Sequence, residues 1–302
     1  MRAEQLTPEF GIAGVLDFVD TEHGLVKAVI SLDGMAGELY LQGAHVTAWR
    51  PPCEHPVIFT SPKAVFAPGK AIRGGIPIVF PWFGPNRHAP AAPQHGLART
   101  ATWHLDGVEI AGRQSLTLTL SLGDHDVGRQ FWSEPFRAIY AVTFAQTLSL
   151  RLAVQNRATH PITFEQALHN YLAVSDVTAA AISGLAGTFY LDKTRAGRRE
   201  PQTEALVTIA AETDRVYLDT PARCVIEDRG WCRNVVIEKV GAASTVVWNP
   251  WAEKAVTMAD LGNPAWRHMI CVETGNIADN NVRLAAGAEH QMSTAISAHA
   301  VP

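Results

Sequence analysis

The chain has 302 residues, 47% of them hydrophobic and 18% charged, with a formal net charge of −4 from 25 basic and 29 acidic side chains. That composition supplies a large core and excludes a disordered or fibrous chain, and the absence of a basic block argues against nucleic acid or an anionic membrane as the main partner. Cys53, Cys224, Cys232 and Cys271 contain no C-x-x-C pair, so neither a disulfide framework nor a zinc site is expected. The opening MRAEQLTPEF does not read as a secretory signal, and no apolar run approaches the roughly 18 residues of a transmembrane helix. A cytoplasmic protein is the expectation.

The first distinctive segment is 62–85, where Pro62, Pro68, Pro77, Pro81 and Pro85 are interspersed with Gly69, Gly74, Gly75 and Gly84. It cannot be a regular central strand throughout and is expected to form a rigid surface loop system. Next, S-L-T-L-T-L-S-L at 115–122 puts Leu116, Leu118, Leu120 and Leu122 on one face and hydroxyl groups on the other, the pattern of a strand with one wet face. The alternation returns through Tyr140, Val142 and Phe144, and through Leu148, Leu150, Leu152 and Val154, before a turn at 156–161. Further strands are expected at 162–168, 234–240, 244–248, 269–273 and 291–296, with one short helix at 251–261. No linker, composition shift or fixed-period repeat divides the chain, so the expected architecture is all-β: one antiparallel sandwich domain over 1–302.

Three polar clusters interrupt the apolar pattern. In A-I-R-G-G-I-P, Arg73 precedes two glycines that allow close backbone approach to a ligand; Q-H-G-L-A-R sets Gln94, His95 and Arg99 around a turn glycine; A-L-H-N-Y places His169 at a strand end. Taken singly, His95 and His169 read as core or turn histidines among 12 in the chain, and Arg73 and Arg99 as surface charges or loop braces. Glu273, in I-C-V-E-T-G-N, stands at the mouth of an apolar strand, either as a buried structural partner or as a functional acid or base. Trp82, Phe83, Trp248 and Trp251 fill a core or stack on a sugar. The nucleotide-loop, dinucleotide, serine-elbow and zinc-helix motifs are absent, which removes support for ATP, redox and common hydrolase chemistry.

Together the ordered motifs A-I-R-G-G-I-P, P-W-F-G-P, Q-H-G-L-A-R, A-L-H-N-Y, G-L-A-G-T-F-Y-L-D-K-T, E-T-D-R-V-Y, W-N-P-W-A-E-K-A and V-E-T-G-N resemble the D-hexose-6-phosphate mutarotase (glucose-6-phosphate 1-epimerase) family, within the galactose mutarotase-like superfamily. The resemblance runs from about Gly43 to about Ala295; Leu97 stands where the family often has Phe. It implies a galactose mutarotase-like β-sandwich in which His169 is the general acid and Glu273 the general base. It further implies that Gln94, His95, Arg99 and Asp214 hold the sugar and that Arg73 with Arg99 meets a 6-phosphate. Lys254 is a possible further member, and Asp192 in Y-L-D-K reads as structural. A proton leaves the C1 hydroxyl while another reaches the ring oxygen, the ring opens, and reclosure presents the other face. This chemistry calls for no cofactor and no metal.

The implied partner is a small sugar phosphate, acted on by a monomer. Three other functions stay open on the sequence: an aldose 1-epimerase for unphosphorylated sugars, a noncatalytic carbohydrate-binding module, and a glycosidase using Glu273 with Asp214.

Overall fold

Alternating segments have apolar faces that only a second sheet can cover, and the structure meets that need with two large antiparallel sheets. A computed structural model describes residues 2–52, 54–86, 88–220 and 223–301; Cys53 lies outside the described residues, and Cys224, Cys232 and Cys271 are free thiols. The nine-stranded sheet runs Val207–Thr208, Ala180–Ser183, Cys224–Asp228, Arg233–Val240, Glu289–Ala300, Leu148–Asn156, Phe136–Phe144, Ser115–Gly123 and His104–Ala111. Leu116, Leu118 and Leu120 pair with Phe144, Val142 and Tyr140, and all six are buried in the core, as the alternation requires. A four-stranded sheet built from Leu16–Asp20, Val26–Leu32, Met35–Tyr40 and His45–Arg50 extends the same hydrophobic core.

The second large sheet has eight strands. Its order is Arg198–Pro201, Phe189–Asp192, Thr213–Leu218, Ser244–Asn249, Met269–Asn276, Gln166–Leu168 and Ile78–Val79, with Tyr171–Ala173 also paired to Met269–Asn276. Buried Arg233 ties the sheets together: its guanidinium donates to the Ala173 carbonyl (2.8 Å) and to those of His55 and Pro56 (3.1 Å each).

Three expectations change in detail. The segment 62–85 is loop for most of its length, but Ile76, Ile78, Val79 and Phe80 are buried, and Ile78–Val79 forms the sheet's last strand. The expected strand 162–168 breaks at Glu165, whose carboxylate accepts the backbone N–H groups of Phe83 (2.8 Å) and Ala278 (2.7 Å); Ile162–Phe164 then pairs with Val282–Leu284, and Gln166–Leu168 enters the second large sheet. The helix spans Trp251–Thr257, and the chain turns at Met258, whose carbonyl takes the N–H groups of Leu261 and Gly262.

Gly74 and Gly75 do approach another backbone closely, but it is the protein's own. A Cβ at Gly74 would lie 2.5 Å from Thr60 Cα, and one at Gly75 would lie 2.3 Å from His45 Nε2. Both glycines have left-handed φ, 101° and 69°, which a side chain would strain as well.

Candidate active site

Strand register assembles the site. Leu168 pairs with Thr274 and Tyr171 with Cys271, so His169 stands opposite Glu273 where the ladder is interrupted. On the other side of that strand Glu273 pairs with Val246 and Cys271 with Trp248, and Trp248 in turn pairs with Asp214. Because side chains alternate along a strand, His169, Tyr171, Asp214, Val246, Trp248 and Glu273 share one face. They line a cavity of about 290 Å³, closed by the Phe83–Pro85 and Gln94–His95 loops and by Arg73, Lys193, Lys254 and Met258. Leu168, Val247 and Val272, of the opposite parity, are in the core.

His169 Nε2 lies 3.3 Å from Glu273 Oε1, with both side chains buried (8% and 1% exposed). Within the protein, His169 Nδ1 and Glu273 Oε2 are buried without hydrogen-bond partners. Burial, reinforced by His95, Arg99 and Arg73, holds the His169 imidazole well below its ordinary value. Burial, reinforced by Asp214 and opposed by Lys193, pushes the Glu273 carboxyl well above the usual carboxylate range. Both shifts favour the uncharged form of the group concerned, a neutral imidazole and a protonated carboxyl. The His169 ring stacks on Tyr171, with centroids 4.6 Å apart and planes 7° apart, and meets His95 and Trp248 edge-on at 5.7 and 6.1 Å.

The other expected residues fall around this pair. His95 has a left-handed φ of 63°, its Nδ1 accepts the Gly84 N–H (3.3 Å), and Nε2 therefore carries the ring proton. Burial, then the charges of Arg99, Lys193 and Arg73, push it down to about 3, so it stays neutral. Arg73 lines the cavity, donating to the Tyr171 hydroxyl (3.1 Å) and to Asp260 Oδ2 (3.1 Å). Arg99 donates to the Gln94 carbonyl (2.6 Å) and does not line the cavity; burial first, and Arg73 further, push it down to about 10. Asp214 is on the wall, its carboxyl raised chiefly by burial. Lys254 also lines the cavity but donates to Glu212 (2.6 Å). Asp192 caps the following turn by accepting the N–H and hydroxyl of Thr194 (2.9 and 2.6 Å).

Sequence reasoning missed two polar side chains of the cavity wall. Tyr171 stood in the A-L-H-N-Y motif and Lys193 in Y-L-D-K, but neither alternation nor spacing distinguishes a cavity residue from a strand-end residue. Of the four aromatic candidates, Phe83 and Trp248 face the cavity, Trp82 packs with Ala92 and Leu97, and Trp251 packs on Trp266. Elsewhere, a larger cavity of about 610 Å³ is lined by hydroxyl and amide side chains and by the exposed Asp33–Arg113 ion pair (3.3 Å). The His104, His125 and Asp126 ligand atoms lie within 4.8 Å of one another at the surface, where His104 already hydrogen-bonds Asp126 (2.8 Å). Among the described residues, no helix is long and apolar enough to cross a membrane.

A family model described as aldose 1-epimerase matches residues 28–297. The chain belongs to this family. A relative from Cenchrus ciliaris is 34% identical over 291 residues, covering 93% of this chain and 87% of that one, and one from Salmonella typhimurium is 31% identical over 273 residues, covering 90% and 87%; both bear the name "Putative glucose-6-phosphate 1-epimerase". The crystal structure of a "putative mutarotase" from Salmonella typhimurium superposes with a TM-score of 0.88 at 27% identity over 96% of each chain. The fold is the galactose mutarotase-like antiparallel β-sandwich.

Proposed function

We propose that the protein interconverts the α and β anomers of D-glucose 6-phosphate and related hexose 6-phosphates. It is an isomerase, and the observation that carries its chemistry is the buried His169–Glu273 pair, 3.3 Å apart and facing the cavity. Ring opening needs one proton between the two groups, as a carboxylate beside an imidazolium. Glu273 takes the C1 hydroxyl proton as the C1–O5 bond breaks, and His169 delivers a proton to O5, giving the open-chain aldehyde. Rotation about C1–C2 exposes the other face of the carbonyl, and the same transfers run backward to close the ring. Acid–base help of this type is typically worth about 10²–10⁴-fold.

Gln94, His95 and Asp214 hold the sugar, with Trp248 beneath it, and Arg73 backed by Arg99 receives the 6-phosphate. Arg73 lines the cavity and Arg99 does not, so Arg99 would act on the phosphate through its charge, Asp260 and Tyr171 acting electrostatically on both arginines. The partner is a small sugar phosphate, and a single chain supplies every group the reaction uses.

Polarimetry or exchange NMR on freshly dissolved glucose 6-phosphate, against the spontaneous rate, tests this reading. Acceleration with a preference for the phosphorylated sugar is expected. A preference for free glucose or galactose would overturn the phosphate assignment.

A further inference from the structure

The strand register carries the site one residue beyond the set considered so far. Leu191 pairs with Val216 and Asp192 with Arg215, so Lys193 leaves the strand beside Asp214. Asp214, Trp248, Cys271 and Tyr171 then continue the row across the sheet. Arg73 bonds the Tyr171 hydroxyl at the far end of that row. Lys193 and Arg73 therefore mark opposite ends of the cavity.

The cations of the cavity wall differ in how they are occupied. Arg73 is paired with Asp260, and Lys254 with Glu212. Lys193 has no hydrogen bond or ion pair among the described residues; its Nζ rests 4.8 Å over the Phe83 ring, at the rim beside Gly84. Across from it, the Asp214 carboxylate makes no hydrogen bond or ion pair within the described residues either. A donor and an acceptor face one cavity from adjacent strands without meeting. A group that fits between them must both accept from an ammonium and donate to a carboxylate, and a sugar hydroxyl does both. A phosphate dianion does not, because Asp214 repels it. The turn that presents Lys193 is fixed at its base, where Asp192 takes the N–H and hydroxyl of Thr194 and its carbonyl takes the Gly197 N–H (2.8 Å).

We infer that Lys193 is a substrate-binding residue that, with Asp214, grips the hydroxyl edge of the sugar at the end of the cavity away from Arg73. This rests on the anomer-exchange reading above. The wild-type protein is therefore assayed first: no acceleration on glucose 6-phosphate or glucose would defeat that reading, whatever Lys193 does.

With wild-type exchange established, Lys193→Gln should lower kcat/KM roughly 10-fold or more on the phosphorylated and the neutral sugar alike, chiefly through KM. Lys193→Arg should recover part of the loss. The double variant Lys193→Gln/Asp214→Asn should lose less than the product of the single losses, because one hydroxyl contacts both groups. Lys193 is exposed at the rim, so an unchanged melting temperature shows the variants folded. An unchanged kcat/KM in Lys193→Gln would overturn the inference. So would a loss confined to glucose 6-phosphate, which would make Lys193 a phosphate ligand, or a strictly multiplicative double variant.

Discussion

His169 Nε2 and Glu273 Oε1 lie 3.3 Å apart at opposed positions on neighbouring strands, and each group keeps a second buried polar atom, Nδ1 and Oε2, without a protein partner. Buried polar atoms are nearly always satisfied, so two orphans in one cavity mark where a ligand completes the bonding. In a pair that needs one proton, activity fails in two ways. At low pH the imidazole gains a second proton while the carboxyl keeps its own, and no base remains. At high pH the last proton leaves, and no acid remains. The kcat profile on a neutral aldose, free of the substrate's own phosphate ionisation, should be bell-shaped. Its acid limb lies below the ordinary imidazole value and its alkaline limb above the ordinary carboxylate range, both belonging to the pair. A rate that climbs steadily with pH, with no alkaline limb, would contradict a one-proton pair.

Arg73 is pre-positioned by Asp260 and the Tyr171 hydroxyl. Arg73→Ala should weaken kcat/KM for glucose 6-phosphate by about 1.5–3 kcal/mol, the range for a hydrogen bond to a charged group, and matter far less for glucose. Added salt should weaken the phosphate substrate more than the neutral one. Equal losses on both sugars in steady-state assays would make Arg73 a loop brace.

His45 offers a test of stability away from the reacting pair. It is fully buried, its Nε2 is 2.8 Å from the Gly74 carbonyl, its Nδ1 has no partner, and burial pushes it down to about 4. A histidine kept neutral in the fold but free to protonate when unfolded contributes stability that is complete above the unfolded value near 6.5 and is lost as pH falls toward 4. The loss is on the order of 3 kcal/mol. Calorimetry at pH 7 and pH 4.5 should therefore show a larger fall in melting temperature for wild type than for His45→Gln. Parallel falls would show that His45 does not supply the pH dependence.

We propose that the chain folds as one unit, since a single hydrophobic cluster runs from Ala3 to Ala298 through all the large sheets. Limited proteolysis should nick the exposed hairpin at 192–203 without releasing a stable half. Recovery of two separately folded fragments would contradict this.

Much of the fold was legible because period-two alternation is a local signal: Leu116 to Leu122 announce their buried face without reference to any partner. Glu165 breaks a strand through two backbone bonds to distant loops, and Gly75 is required by His45, neither of which any local pattern records. The proposed acid–base pair was nameable only through its motifs, because the opposition of His169 and Glu273 is a property of register. Lys193 escaped for the same reason, being a cavity residue solely because the turn after the neighbouring strand sets it beside Asp214.

If His169 and Glu273 move the protons of ring opening, exchange NMR between the anomers of glucose 6-phosphate will show it in their variants. His169→Ala and Glu273→Gln, each checked for a native melting profile, should lose about 10²–10⁴-fold of the protein-catalysed exchange. Folded variants that both exchange anomers at near wild-type rates would contradict the account.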